Sequence, residues 1–481
     1  MDTAEAETAP APADAEKQVG PMPAQLLPPT SSTSGDGAAS PRKPERQRWN
    51  DSRVTIYRFS VTLYSFFVIG MNDGCTGALI PYLESYYNIS YSIVSLMFLM
   101  PFVGYLIAAM FNNLIHHRFG QFGVAVAGPL CRLIGYVPIC THPPFPVLPV
   151  VMLFPGFGNG IEDSAWNAWI GNMHNANELL GILHGIYGLG ATAAPLIATF
   201  MIAQAKLPWY SFYYVLIGLN GLGEMLTTTA FWTASAAVHR GASCPAGRRT
   251  TTRTVLRAPV VWLVAIFLLG YVGVEVSLGG WVVTFMLRVR HAAPFWAGLS
   301  VTFFWLGLTV GRVALGFLTP RVGEKGAIAA YLVLDIALVL LYWLVPSFAA
   351  SAVFAALLGL FLGPLYPAAI VGATKLLPAD HHISAIGFAA AVGGVGGAVL
   401  PFAVGAMAQS QGVAVLQPIV LALLVLILLT WLFLPGGLRR GGLERASDNE
   451  EKIGHEVRKA VAWAKGGGRR RTKEESGNAQ A

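Results

Sequence analysis

Eight ionisable side chains lie inside long apolar stretches of the chain: Asp73, Arg132, Glu162, Asp163, Glu224, Glu275, Arg312 and Asp335. At membrane depth such groups are costly and persist only where they face a bundle interior or a wet cavity. Burial disfavours the charged form of a carboxyl group, which is the property proton-coupled chemistry uses. Glu162 is the first candidate for that role. At helical spacing it shares a face with Trp166 and Trp169, while Asn159, Asp163 and Asn167 line the adjacent face. An acid beside an aromatic plate suits a sugar, whose ring has one apolar side and a hydroxylated rim. The alternative is a structural acid buried against Arg132 or a helix end.

Asp73 is the second candidate proton carrier. With Asn72 it lies among Gly70, Gly74 and Gly77, which permit close helix approach, so an interhelical hydrogen bond explains it equally well. Tyr271 and Glu275 are one turn apart, as His184 and Tyr187 nearly are. Together with Asn72, Asn159 and Trp166 they form the expected solute-binding set. Arg132 needs a partner, and Asp73 and Glu162 both compete for it. Arg312 and Asp335 fit a gating or structural pair better than a solute contact. Glu224 has no aromatic or basic residue on its face and reads as structural.

Other chemistry finds little footing. No Gly-x-x-x-x-Gly-Lys-Ser/Thr stretch suggests nucleotide drive. The pairs His116-His117 and His381-His382 stand outside any His-x-x-x-His box, and the four cysteines lack metal spacing. The expectation is a protein that is not an enzyme, has no metal or cofactor, and uses the proton as its only coupling ion.

The elements that must hold these residues follow from composition. The chain has 481 residues, of which 12% are charged and 54% hydrophobic, with mean hydropathy +0.55. A soluble domain carries about 25% charged residues. Only 25 of the 57 charges fall between residues 54 and 434, too few to solvate that length. Apolar segments of spanning length recur near 54–80, 92–115, 122–141, 147–169, 179–204, 209–234, 259–287, 295–318, 326–346, 350–373, 383–408 and 415–434. The expected fold is therefore an all-α membrane protein of twelve transmembrane helices. Lys and Arg fall on alternate sides: 26 of 32 lie in the tails, the 235–258 linker and the breaks after spans two, eight and ten. The positive-inside rule then puts both termini in the cytoplasm.

Residues 1–53 read as a disordered N-tail, 54–234 and 259–434 as two six-helix bundles, 235–258 as a basic linker and 435–481 as a C-tail. Within the C-tail, residues 450–465 have the spacing of an amphipathic surface helix. Internal repetition supports the two bundles. At an offset of 203 residues Gly104 meets Gly307, Arg118 meets Arg321, Gly120 meets Gly323 and Gly156 meets Gly359; at 206, Gly181 meets Gly387 and Gly190 meets Gly396. Solute in a carrier built from such parallel repeats binds between the halves near the midplane.

The repeated loop carries a resemblance. Arg118-Phe-Gly120 and Arg321-Val-Gly323 are similar to the Gly-x-x-x-Asp-Arg-x-Gly-x-Arg loop of the major facilitator superfamily, with His117 and Pro320 at the aspartate's place. Arg118 and Arg321 are accordingly expected to be structural or gating charges. A narrower resemblance rests on Gly158-Asn-Gly-Ile-Glu162, Tyr271-Val-Gly273 and Gly311-Arg312, which look like the fucose:proton symporter family. The run Gly181-Ile-Leu-His184-Gly-Ile-Tyr187-Gly-Leu-Gly190 resembles its fungal branch, the bypass of stop codon protein 6 type. The family's span-one aspartate falls on Gly77, its span-five asparagine and preceding glutamine on Tyr187 and His184, and a span-seven glutamine on Glu275.

What the resemblance implies is a secondary carrier moving a small polar, sugar-like solute by proton symport with alternating access; fucose itself is not implied. A proton-driven antiporter and a non-transporting solute sensor are the alternatives. The expected partners are the small-molecule solute and the lipid bilayer, not nucleic acid, for a monomer in the plasma membrane.

Overall fold

The computed structural model describes residues 47–236, 256–378, 381–438 and 441–443. These residues are helical nearly throughout. The helices are α1 (Arg53–Tyr87), α2 (Tyr91–Val94), α3 (Leu96–Cys140), α4 (Val147–Gly171), α5 (Ala176–Thr199) and α6 (Ser211–Phe231). After the linker come α7 (Pro259–Arg288), α8 (Pro294–Val322), α9 (Glu324–Leu344), α10 (Phe348–Leu362), α11 (Leu365–Leu376), α12 (His382–Gln411) and α13 (Leu416–Phe433). The C-tail stretch 450–465 lies outside the described residues, as do most of the N-tail and the linker.

Among the described residues, nine helical stretches are long and apolar enough to cross a bilayer. Large apolar side chains such as Met110, Phe317 and Phe433 stand exposed around them, as lipid contact requires. Helices α4 and α6 coincide with the expected spans 147–169 and 209–234 but are less apolar, because they carry Asn159, Glu162, Asp163 and Asn167, and Asn220 and Glu224. Two expected boundaries differ. Spans two and three run together as α3, turning at Gly120, whose φ of 71° is open to glycine at little steric cost. Span ten is split into α10 and α11 at Gly363-Pro364, where proline cannot continue the ladder.

Glycines set how closely the helices approach. Gly70 and Gly74 of α1 lie against the backbone of Tyr187 and Ala191 in α5, leaving no room for a Cβ. Gly104 and Gly156 seat α3 on α4, and Gly307 and Gly359, each 203 residues later, seat α8 on α10 in the same way.

Among the described residues, the closest backbone approaches between 53–231 and 259–433 lie toward one end. There Gly77 touches the backbone of Gly279 and Gly280, Arg288 reaches Glu84 at 3.3 Å, and the Tyr91 amide donates to Gln409 at 3.0 Å. Away from that rim the segments diverge. Along one face of α5, Gly188 has no space for a Cβ against Thr309 of α8, a Cβ on Gly185 would lie 3.9 Å from Val313, and one on Gly181 would meet nothing described within 4 Å. Helix α12 repeats the pattern against α2 and α3: Gly405 is packed on Ser95, Gly394 lies near Phe102, and Gly387 faces open space.

Candidate functional site: a polar network between the two segments

Prolines expose the first part of the network. Pro129 in α3 has no N–H for the carbonyl of Ala125, and Thr227 of α6 donates to that oxygen at 2.7 Å instead. Asn220 of α6 donates to the carbonyl of Pro129 at 2.6 Å, which aims its own side-chain oxygen at Arg132 Nε, also 2.6 Å away. Arg132 then reaches Glu162 of α4 at 2.5 Å, and Ser65 of α1 donates to the same carboxylate oxygen at 2.8 Å. Both charges are buried, Arg132 1% and Glu162 0% exposed. Glu162 lies flat on Gly128, where any Cβ would displace it.

Asn159 joins this pair to a second acid. Its oxygen accepts from Arg132 at 3.3 Å, and its amide donates to Asp73 at 3.2 Å. Asp73 also accepts from Asn72 at 2.9 Å and from the Tyr187 hydroxyl at 3.0 Å, the latter across the close α1–α5 seam. Tyr136 holds Asn72 from the far side at 2.8 Å. Unlike Glu162, Asp73 is half-buried rather than sealed. Asp163, one residue beyond Glu162, is also half-buried and accepts from Asn167 at 2.9 Å; His184 meets the same Asn167 at 3.1 Å.

A smaller constellation faces it from the second segment. Pro367 lacks the N–H that would bond the carbonyl of Gly363, and Arg312 Nε takes that oxygen at 3.4 Å. Arg312 also donates to the Tyr271 hydroxyl at 3.1 Å and to Glu275 at 3.4 Å. The two constellations are within reach of one another's charge: Tyr187 of Glu275 and Arg312, and Tyr366 of Asp163. The arrangement brings two half-buried acids, Asp73 and Asp163, together with amide and hydroxyl groups near the meeting of the two segments.

A sequence profile of the Major Facilitator Superfamily matches residues 62–350 and 297–469. The chain belongs to the major facilitator superfamily. Bypass of stop codon protein 6 of Saccharomyces cerevisiae is 30% identical over 407 residues, 78% of this chain and 81% of that relative. The glucose/mannose transporter GlcP of Bacillus subtilis is 21% identical over 350 residues, 71% of this chain and 85% of the relative. Among solved structures, FucP in its outward conformation aligns with TM-score 0.55 over 79% of this chain and 99% of its own, at 14% identity. The resemblance to the superfamily read from the Arg-x-Gly loops and the likeness to the bypass of stop codon protein 6 type are therefore borne out, FucP sharing the fold, and the chain is an integral, multi-pass membrane protein.

Within this superfamily member several sequence expectations are corrected by geometry. Trp166 is no solute plate: it is fully buried and stacked on Phe231 of α6 at 4.5 Å between ring centroids. Arg312 does not pair with Asp335; it turns to Tyr271 and Glu275, and both oxygens of the fully buried Asp335 lack a hydrogen-bond partner among the described residues. Asn72, Asn159 and Tyr271 are buried and hold the acids and Arg312 in place. His184 and Tyr187 remain half-exposed, and Glu275 is buried beside Arg312. Arg118 and Arg321 are exposed at the rim opposite Glu84, and Glu224 accepts from Thr228 at 3.1 Å. Sequence reasoning passed over Tyr105, Tyr136, Asn220 and Tyr366. A lone amide amid apolar residues, as at Asn220, was the signal available; hydroxyl-bearing rings give none until their neighbours are known.

Proposed function

We propose that this protein is a secondary active carrier of a small, sugar-like polar solute, coupled to protons by symport, with Asp73 as the proton-carrying group. One observation carries this reading. Asp73 is the half-buried acid that touches both the solute-facing Tyr187 and, through Asn159, the sealed Arg132–Glu162 pair. A proton gained or lost at Asp73 changes what Asn159 and Tyr187 can donate to, so protonation and solute binding are felt by the same groups. Glu162, the first candidate on sequence alone, is in this reading the counter-charge that keeps Arg132 in place. Sugar transport draws support from the relatives, since GlcP is a glucose/mannose transporter and FucP a fucose:proton symporter. No cofactor is involved beyond the proton.

The same reading takes the chain as twelve spans in two six-helix bundles, 54–234 and 259–434, with a cytoplasmic linker and both termini cytoplasmic in the plasma membrane. The closed rim of Gly77, Glu84 and Arg288 is then extracellular and the gap at Gly181 and Gly387 opens to the cytoplasm, an inward-facing state of an alternating-access cycle. Asn50 starts an Asn-x-Ser glycosylation pattern that a cytoplasmic N-terminus leaves bare; a glycan found there inverts the topology.

Proteoliposomes loaded at one pH and diluted into another test the coupling. An inwardly directed proton gradient should drive accumulation of labelled glucose or galactose. Efflux under the same gradient would mark an antiporter. Solute binding without counterflow would mark a sensor.

A further inference from the structure

The chain leaves each segment past the same kind of loop. In the first segment Phe122, two residues beyond the Gly120 turn, donates its backbone amide to the carbonyl of Ala234 at 3.2 Å, and its ring meets Trp232 edge-on at 5.4 Å. Gly120 lies so close to residues 234–236 that a Cβ would not fit, and Ala234 and Ala236 are buried there. Arg58 of α1 completes this exit, donating to the carbonyl of Ala230 at 3.0 Å and lying over the Phe231 ring. In the second segment the position 203 residues after Phe122 is Lys325, two residues beyond Gly323. Its ammonium donates to the carbonyls of Leu432, Leu434 and Gly436, and its own carbonyl accepts from the Trp431 indole at 2.9 Å. These carbonyls lie at and beyond the end of α13, where a helix offers them no N–H. Lys325 is only 6% exposed, and an ammonium has three N–H groups for three acceptors. Gly326 has no room for a Cβ against the carbonyl of Leu438. The chain then turns back on itself: Gly436 and Gly441 have φ of 114° and 75°, conformations that favour glycine, and Leu443 is 1% exposed.

We infer that the two Arg-x-Gly loops are docking surfaces for the chain that leaves their own segments: the first holds the start of the linker, and the second, through Lys325, clasps residues 434–443 of the C-tail as a strap. The two docks share a place in the repeat and differ in chemistry. The first uses a backbone amide and a glycine, with its cation supplied from α1. The second puts the cation in the loop itself, where it also complements the negative end of α13. The strap makes the first part of the tail a fixed piece of the second segment, so a partner or modification acting there has to pull a buried ammonium away from its carbonyls, which is costly. The docks are independent of the solute and of the coupling ion.

Hydrogen–deuterium exchange of the full-length protein in lipid nanodiscs, read by peptide, tests this. In the parent protein residues 434–443 should exchange slowly. Lys325→Met keeps the stem and removes the donors, and should speed exchange there by about tenfold or more, with peptides of α7 and α8 unchanged. Gly326→Ala should free the same residues by displacing Leu438 while Lys325 stays in place, so the outcome does not hang on one variant. Lys375 pairs with Glu324, the residue before Lys325, at 2.5 Å; Lys375→Gln should leave the strap protected. Gly120→Ala should speed exchange at 232–236 and leave 434–443 as it was. Exchange of 434–443 in the parent at the rate of an unstructured peptide would overturn the proposal. So would an unchanged rate in both Lys325→Met and Gly326→Ala, or a strap loosened as much by Lys375→Gln as by Lys325→Met.

Discussion

Each segment of this protein holds one buried or nearly buried Arg–Glu pair, and the two pairs are built differently. Arg132–Glu162 is short, at 2.5 Å, and sealed, with Ser65, Asn159 and Asn220 taking up further hydrogen-bonding capacity. Arg312–Glu275 is longer, at 3.4 Å, leaves each side chain about a tenth exposed, and shares its arginine with a tyrosine hydroxyl and a helix-break carbonyl. The first is a fixed charge-balanced core. The second has looser geometry and is less completely sealed.

The comparison is broken most severely by removing one member of the sealed pair. Glu162→Ala leaves Arg132 buried without its counter-charge, and breaking such a pair costs about 3–5 kcal/mol. Thermal unfolding in detergent should show the largest loss of stability of any variant considered, and binding and transport should fall together. A wild-type melting temperature would mean that the pair is not structural.

How far the sequence led is visible in the same residues. The membrane class, the apolar segments and the glycine seams were legible because spanning length and glycine spacing are local properties. The ionisable residues were legible because charge inside an apolar run is rare. Partner choice was not. Arg132 could as well have met Asp73, and Arg312 was expected to face Asp335, because spacing along one helix fixes a face but not the helix it confronts. Trp166 failed for the same reason: its shared face with Glu162 is real, and that face packs on Phe231 of α6 instead of opening to a solute. The pairing of Arg312 with the Gly363 carbonyl depends on a helix break whose prolines were plain to read but whose acceptor was not.

Next in size is a change at the closed rim. Gly77→Val puts a branched side chain where the Gly279 carbonyl lies, and overpacking of this kind costs about 1–3 kcal/mol. The cost applies only while the rim is closed, so the population should shift toward the opposite state. Spin labels at Gly181 and Gly316 should then report a shorter separation than in the parent protein; an unchanged distance distribution would rule out the rim as a conformational switch.

Glu275→Gln should separate the two pairs functionally. A neutral partner for a partly exposed arginine costs less than a sealed one, so stability should drop by well under half of the Glu162→Ala loss. Solute affinity should fall about tenfold, as for truncating one member of a hydrogen-bonded charge pair. Equal losses of stability in the two variants would erase the distinction drawn between the pairs. Smallest of all is Arg288→Gln. That arginine is half-exposed, and exposed ion pairs contribute about 0–1 kcal/mol. Melting temperature should barely move, and a large drop would show that the rim contact is more than a surface pair.

The central claim is that the proton rides on Asp73 and not on the sealed Glu162. Asp73→Asn keeps an amide that can still hydrogen-bond Asn159 and Tyr187 but cannot titrate. Counterflow of labelled solute between equal concentrations needs binding and reorientation without net proton movement, and should persist in this variant at rates near the parent's. Accumulation driven by a pH gradient needs the group to lose its proton once per cycle, and should collapse to equilibration. Gradient-driven accumulation at the parent's level in Asp73→Asn would contradict the assignment.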